Sequence, residues 1–198
     1  MKYIIMCGRG CWRHLSKIGN ETVVERTIRM LKAKGIQDIS ISSNDPAFEA
    51  FGVSVLHHKN EEWLDAFYPT DEPTCYIFGD VVFSPKAIDI IVNTNTDDIE
   101  FFASAPPFTP EYFKKWAEPF AFKVVNTKRF RECVEKTKQY LAEGKLLRGI
   151  SWEIWQVVKG TPLRCIDYTN YTVINDYTCD IDTAEDVKQF EELIRRGI

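Results

Sequence analysis

Short apolar runs, each stopped by a glycine or a polar turn, alternate with segments of helical period along the first half of the chain, and few folds accept that order. Residues 3–6 (Tyr-Ile-Ile-Met) form one such run, ended at Gly8, and suit a buried strand. Val24, Ile28 and Leu31 recur at helical spacing, with Gly35 placed as the glycine that closes a helix. Ile39 and Ile41 alternate with Ser40 and Ser42, and Val53 and Val55 repeat the pattern. Trp63, Ala66 and Phe67 predict a short helix. Residues 75–78 predict another strand, ended by Gly79-Asp80, and Pro85 suits the first turn of a helix carrying Ile88, Ile91 and Val92. Strand-helix-strand-helix order predicts an α/β fold of three layers, a mainly parallel twisted sheet with helices on both faces.

The second half is less regular. Residues 101–103 and 121–125 read as strands, and the proline-rich stretch 105–110 between them reads as loop. Residues 129–141 and 152–158 read as helices. Residues 168–179, with Tyr168, Tyr171 and Tyr177 among β-branched residues, read as a strand or hairpin. Thr183 caps a last helix, with Asp186 at its third position as a capping-box variant and Val187, Phe190 and Ile194 as its apolar stripe.

Charge and length narrow the function. A chain of 198 residues buries roughly 70% of its unfolded surface, enough for a sizeable core. The formal charge of −4, without a basic block, argues against a nucleic-acid binder acting through a broad phosphate-facing surface. The apolar start, residues 1–6, is too short for a signal peptide, and no apolar run approaches the roughly 20 residues of a membrane span. These features predict a cytoplasmic protein with reduced thiols. Its six cysteines form no C-x-x-C pair, and Cys7 with Cys11 makes a poor zinc site.

Three clusters carry candidate chemistry. Cys7-Gly8-Arg9-Gly10-Cys11-Trp12-Arg13 follows the first strand directly. Ligands of an open parallel sheet sit beyond the carboxyl ends of its strands. Two glycines there let backbone N–H groups turn toward a phosphate, although a plain turn fits the same residues. Arg9 and Arg13 add positive charge. The third glycine of the dinucleotide fingerprint is absent, and no acid ends the second strand at Ser42-Ser43-Asn44, so NAD is not expected. The second cluster is Gly79-Asp80, a carboxylate at a strand end that suits Mg²⁺, or equally a turn or helix cap. In the third, Asp180-Ile181-Asp182, alternation points both carboxylates to one side; favouring the following helix's positive end is the other reading. His14, His57 and His58 lack metal-ligand spacing with acids. Trp152 and Trp155 read as core or as a wall, and the 168–177 tyrosines as sheet packing or the lining of an acceptor pocket.

Taken in order, the glycine loop, the stretch from Arg13 through Ile28, Gly79-Asp80 after a strand, and Asp180-Ile181-Asp182-Thr183-Ala184-Glu185-Asp186 opening the last helix resemble the nucleotidyltransferase superfamily of GT-A-like fold. Its members include sugar-phosphate nucleotidyltransferases, choline-phosphate cytidylyltransferases and molybdenum-cofactor guanylyltransferases. The resemblance implies one nucleotidyltransferase-like domain over residues 1–198, with the acceptor-side portion within about 100–178. It implies an enzyme that binds a nucleoside triphosphate, CTP favoured, and a phosphorylated sugar or alcohol, uses Mg²⁺ and releases pyrophosphate, as in polysaccharide precursor synthesis. Met6, Cys7, Gly8, Arg9, Gly10, Asn44 and Gly79 would meet the nucleotide. Arg13 would stabilise phosphate charge from the place where the family has Lys. Asp80 would be the first metal ligand and catalytic, with Asp182 or Asp180 supplying the second carboxylate. A homodimer is allowed; nucleic acid and membrane are not expected as partners. Here only two residues separate Gly10 from Arg13, fewer than the family has. The rivals are a GT-A-type glycosyltransferase, whose Asp-x-Asp is missing from Gly79-Asp80-Val81-Val82, and a non-catalytic nucleotide-binding relative.

Overall fold

The computed structural model describes residues 1–8, 12–58, 63–105, 117–146 and 148–197. Strand β1 (Lys2–Gly8) lies at the centre of a seven-stranded sheet. Helix α1 (Trp12–Leu15) and a small ribbon of β2 (Lys17–Ile18) and β3 (Glu21–Thr22) lead into α2 (Val23–Ala33). Strands β4 (Ile39–Ser43) and β5 (Ser54–Leu56) then extend the sheet to one side of β1, all parallel. After a 3₁₀ turn at Trp63–Ala66, β6 (Thr74–Phe78) pairs with the other side of β1, also parallel. Between β1 and β6 the strand order therefore reverses, which is where open α/β sheets place their ligands.

The remaining elements are β7 (Val81–Val82), α3 (Pro85–Asn93), β8 (Ile99–Ala103), β9 (Pro119–Val124), α4 (Thr127–Ala142), α5 (Ser151–Lys159), β10 (Thr172–Val173), β11 (Cys179–Asp180) and α6 (Ala184–Arg195). The sheet order is β10-β8-β9-β6-β1-β4-β5, and β9 runs against both its neighbours. The mainly parallel sheet expected from the sequence is thus found, with one reversed strand. The span 168–179 is not a hairpin. Its two short strands pair elsewhere, β10 with β8 in parallel and β11 with β7 antiparallel.

Period-two alternation along β1 divides the interior into two layers. Tyr3, Ile5 and Cys7 join Val24, Ile28 and Leu31 of α2 and Ala87, Ile88 and Ile91 of α3 on one face. Ile4 and Met6 join Phe130 and Val134 of α4 and Trp152, Ile154, Trp155 and Val158 of α5 on the other. A strand covered on both faces has no solvent side, which is why residues 3–6 are uniformly apolar. A third cluster seats α6, through Phe190, on Ile18, Val82, Cys179 and Ile181. Lys123 of β9 is 4% exposed, and its Nζ donates to Val92 O (2.9 Å) and Thr94 O (2.6 Å), tying the reversed strand to the carboxyl end of α3.

Candidate active site at the carboxyl edge of the sheet

Two glycines shape the crevice between β1 and β6. Gly8 ends β1 with φ +49°, and a Cβ there would meet nothing within 4 Å. Its position is fixed by Ser43 Oγ, which donates to Gly8 O (3.1 Å) from the end of β4. Gly79, directly after β6, is the opposite case. A Cβ would lie 2.6 Å from Met6 O, 2.7 Å from Cys7 Sγ and 2.8 Å from His14 Cδ2, while its N–H donates to Met6 O (3.0 Å). Only a residue without a side chain lets β6 turn against β1 here, and that turn presents Asp80 beside the end of β1.

The two acid motifs, distant in sequence, are joined by backbone. Val81 pairs with Asp180 and Val82 with Cys179, and Ile181 N–H donates to Asp80 O (2.9 Å). Asp182 is held in turn by the cap of α6. Asp186 Oδ2 accepts from the N–H groups of Asp182 (2.9 Å) and Thr183 (2.6 Å), and Thr183 Oγ1 accepts from Asp186 N–H (3.3 Å). The predicted capping box is therefore present, and it also aims an acidic residue. From the opposite wall, Arg13 of α1 places NH1 2.9 Å from Asp182 Oδ1 and 3.8 Å from Asp80 Oδ2, so one guanidinium nitrogen serves both carboxylates.

Asp180 is half-buried. Burial pushes its carboxyl up to about 8, and the neighbouring charges of Glu118, Asp80 and Asp182 push in the same direction. Glu118 is a member of this cluster that the sequence did not single out. It immediately precedes β9, its N–H donating to Ser104 Oγ (2.8 Å). An acid after a strand reaches the carboxyl edge only where the strand is parallel. Because β9 is reversed, its beginning lies at that edge.

Other expected contacts are placed differently. The side chains of Met6 and Cys7 are buried in the two core layers, which leaves their backbone as the part near the crevice. Asn44 braces the chain after β5: its Oδ1 accepts from His58 N–H (2.8 Å) and its Nδ2 donates to His58 O. With both ends of the amide engaged, Asn44 positions the crevice wall. His14 is buried, edge-on to Phe48 with ring centroids 6.1 Å apart. Arg9, Gly10 and Cys11 lie outside the described residues, as does most of the 105–110 stretch. Among the described residues there is no group of three or more His, Cys, Asp or Glu that could hold a metal ion, no disulfide joins Cys7, Cys75, Cys133, Cys165 or Cys179, and no helix is long and apolar enough to cross a membrane.

No protein-family model and no curated protein matches the chain. Solved structures do. The 2-C-methyl-D-erythritol 4-phosphate cytidylyltransferase of Thermus thermophilus is 13% identical, with a TM-score of 0.64 over 98% of this chain and 98% of its own. A protein assigned as a glucose-1-phosphate thymidylyltransferase, from Bacillus anthracis, is 16% identical, with a TM-score of 0.59 over 98% and 95%. The CTP:phosphocholine cytidylyltransferase of Streptococcus pneumoniae is 16% identical, with a TM-score of 0.51 over 98% and 98%. The likeness at such identities is one of fold, and it extends along nearly the whole chain: the α/β architecture expected from the sequence is the one these nucleotidyltransferases share.

Proposed function

We propose that this chain is a Mg²⁺-dependent nucleotidyltransferase that couples a nucleoside triphosphate, CTP first among the candidates, to a phosphorylated sugar or alcohol with release of pyrophosphate. The observation that carries this reading is the meeting of Asp80, Asp180, Asp182 and Arg13 at the point where the strand order reverses. The resemblance in the motifs and the shared fold of three solved nucleotidyltransferases support it. Two of those three are cytidylyltransferases, which is why CTP leads.

The donor set fits a hard cation. The three aspartates offer oxygen only, and Asp180, half-buried among like charges, lacks full compensation. Mg²⁺ takes one or two carboxylates and fills its other positions with water and substrate phosphate, so three protein donors in place are not required. Asp80 would be the first ligand and Asp182 or Asp180 the second. When bound, the metal supplies charge neutralisation on the triphosphate and the departing pyrophosphate.

The chain's own residues do the remaining work. The open, positive-φ end of β1 at Gly8 gives the triphosphate room, and Arg9 and Gly10 follow it in sequence. Arg13, already between the carboxylates, holds positive charge where phosphate charge develops. The acceptor approaches from the portion within about 100–178, to which Glu118 belongs. Its phosphate oxygen is ionised at neutral pH and attacks the α-phosphorus. The bond from that phosphorus to the bridging oxygen breaks, and pyrophosphate leaves in line. No proton has to be removed, so positioning and electrostatics suffice.

Pyrophosphate release with each common NTP, Mg²⁺ and an acceptor panel of glucose 1-phosphate, 2-C-methyl-erythritol 4-phosphate and phosphocholine tests the proposal. Turnover with one pair is expected, and Asp80→Asn should lower it at least about 100-fold while the protein stays folded. No release from any pair, or undiminished turnover in Asp80→Asn, overturns it.

A further inference from the structure

We propose that Arg13 is a built-in counter-ion that competes with a divalent cation for Asp80 and Asp182, and that a triphosphate ends the competition by drawing the guanidinium onto its own oxygens. The inference rests on the reading of this crevice as a metal-assisted nucleotide site. It adds an inhibitory contact to that site: the carboxylates resist a metal that comes alone and accept one that comes with triphosphate.

One nitrogen faces two acids. Arg13 NH1 is 2.9 Å from Asp182 Oδ1 and 3.8 Å from Asp80 Oδ2. The three residues come from separate parts of the chain: Arg13 from α1, Asp80 from the turn between β6 and β7, Asp182 from the segment between β11 and α6. They are not held alike. The acids are tied by backbone, through the pairing of β7 with β11, the hydrogen bond from Ile181 N–H to Asp80 O, and the one from Asp182 N–H to Asp186 Oδ2. Arg13 reaches them only with a long side chain, 36% of which is exposed. The guanidinium is therefore the member of the cluster that can swing away through solvent while the backbone stays in place.

Charge makes the two cations rivals. A divalent ion shared by Asp80 and Asp182 needs the carboxylate oxygens that NH1 faces, and arginine carries its positive charge permanently, so the repulsion is not relieved by loss of a proton. It is relieved by movement, and a displaced guanidinium needs another anion. A triphosphate offers oxygens that match its planar fork. Occupation of Arg13 by triphosphate frees Asp80 and Asp182 for the metal. By linkage, metal on the carboxylates frees Arg13 for the triphosphate to the same extent.

Binding of Mn²⁺ alone to the full chain, read from the electron paramagnetic resonance of the free ion, tests the competition without any turnover. Arg13→Gln should bind Mn²⁺ at least about fivefold more tightly than the parent. Adding Asp80→Asn to that variant should abolish the gain. Lys17→Gln removes one exposed positive charge from β2 and should stay within about twofold of the parent, which separates direct pairing from a change in net charge. Mn²⁺ premixed with inorganic triphosphate should reverse the order, the parent binding the complex at least about fivefold more tightly than Arg13→Gln. Equal Mn²⁺ affinity in the parent and Arg13→Gln, with Asp80→Asn weakening both, overturns the counter-ion and leaves the metal site standing. Mn²⁺ binding indifferent to Asp80→Asn in both backgrounds overturns the metal site and the counter-ion with it. A gain matched by Lys17→Gln, or a triphosphate complex bound as well by Arg13→Gln as by the parent, also overturns the proposal.

Discussion

Asp180 shows how a single carboxyl can be unfavourable for the fold and suited to a ligand. Its folded value is raised from 3.8 to about 8, so the native state holds this proton more tightly than the unfolded chain does. Below pH about 4 the group is protonated in both states and nothing is lost. As pH rises from about 4 to 8, the unfolded chain ionises there first, and native stability falls across that window. Asn cannot ionise, so Asp180→Asn should be more stable than the parent at pH 8 in EDTA, by about a few kcal/mol at most. The gap should shrink at pH 5. Urea midpoints at the two pH values measure it, and a gap that does not change with pH would show that Asp180 is not strained. At this scale local pattern was informative about position: Asp80, Asp180, Asp182 and Arg13 stand out in the sequence, and the structure brings them together. It was silent on Glu118, whose place depends on the direction of β9. Nor did it show that the Asn44 side-chain amide bonds the backbone of His58, a partner fixed only once β4 and β5 are paired.

Among the elements, the junction of β1 and β6 is the least forgiving. In Gly79→Ala the added carbon would meet the backbone oxygen of Met6 at 2.6 Å, and backbone in the central strand cannot step aside as a flexible side chain can. Overpacking of this kind costs about 1–3 kcal/mol, and the shift it forces would carry Asp80 away from the end of β1. Gly8→Ala meets open space, so its penalty is the left-handed backbone alone, about 1–2 kcal/mol. Both variants should lower the urea midpoint, but turnover per folded molecule should fall much further in Gly79→Ala. Equal turnover in the two would mean that the close approach at Gly79 does not position Asp80. Elements with local signals were legible: the helices at Val23–Ala33 and Ala184–Arg195 follow their apolar periods, and the Thr183–Asp186 box closes as expected. The tyrosine-rich span 168–179 was not, because β10 and β11 find their partners in β8 and β7, far away in sequence. β-branched composition says that a strand is favoured without saying what it pairs with.

For the molecule as a whole, the reversal of strand order around β1 gathers loops from both halves of the sheet onto one edge. A ligand bound there stabilises the fold through linkage, by about 2.7 kcal/mol at a concentration 100 times its Kd. For a chain of this size that corresponds to roughly 5–10 °C in Tm. CTP with Mg²⁺ should produce such a rise, EDTA should remove most of it, and Asp80→Asn should show little of it. A full rise in EDTA would place the nucleotide elsewhere or make the metal unnecessary. The β7–β11 ribbon has a further consequence, one of timing. Asp80 leaves the ribosome 100 residues before Asp180, an interval of roughly 5–20 s at ordinary rates of synthesis. Until β11 arrives, β7 lacks its partner and the central strands bear half of an acidic site. The nascent chain can therefore form much of its sheet early, while the carboxylate cluster is complete only when the last helix has closed over the ribbon.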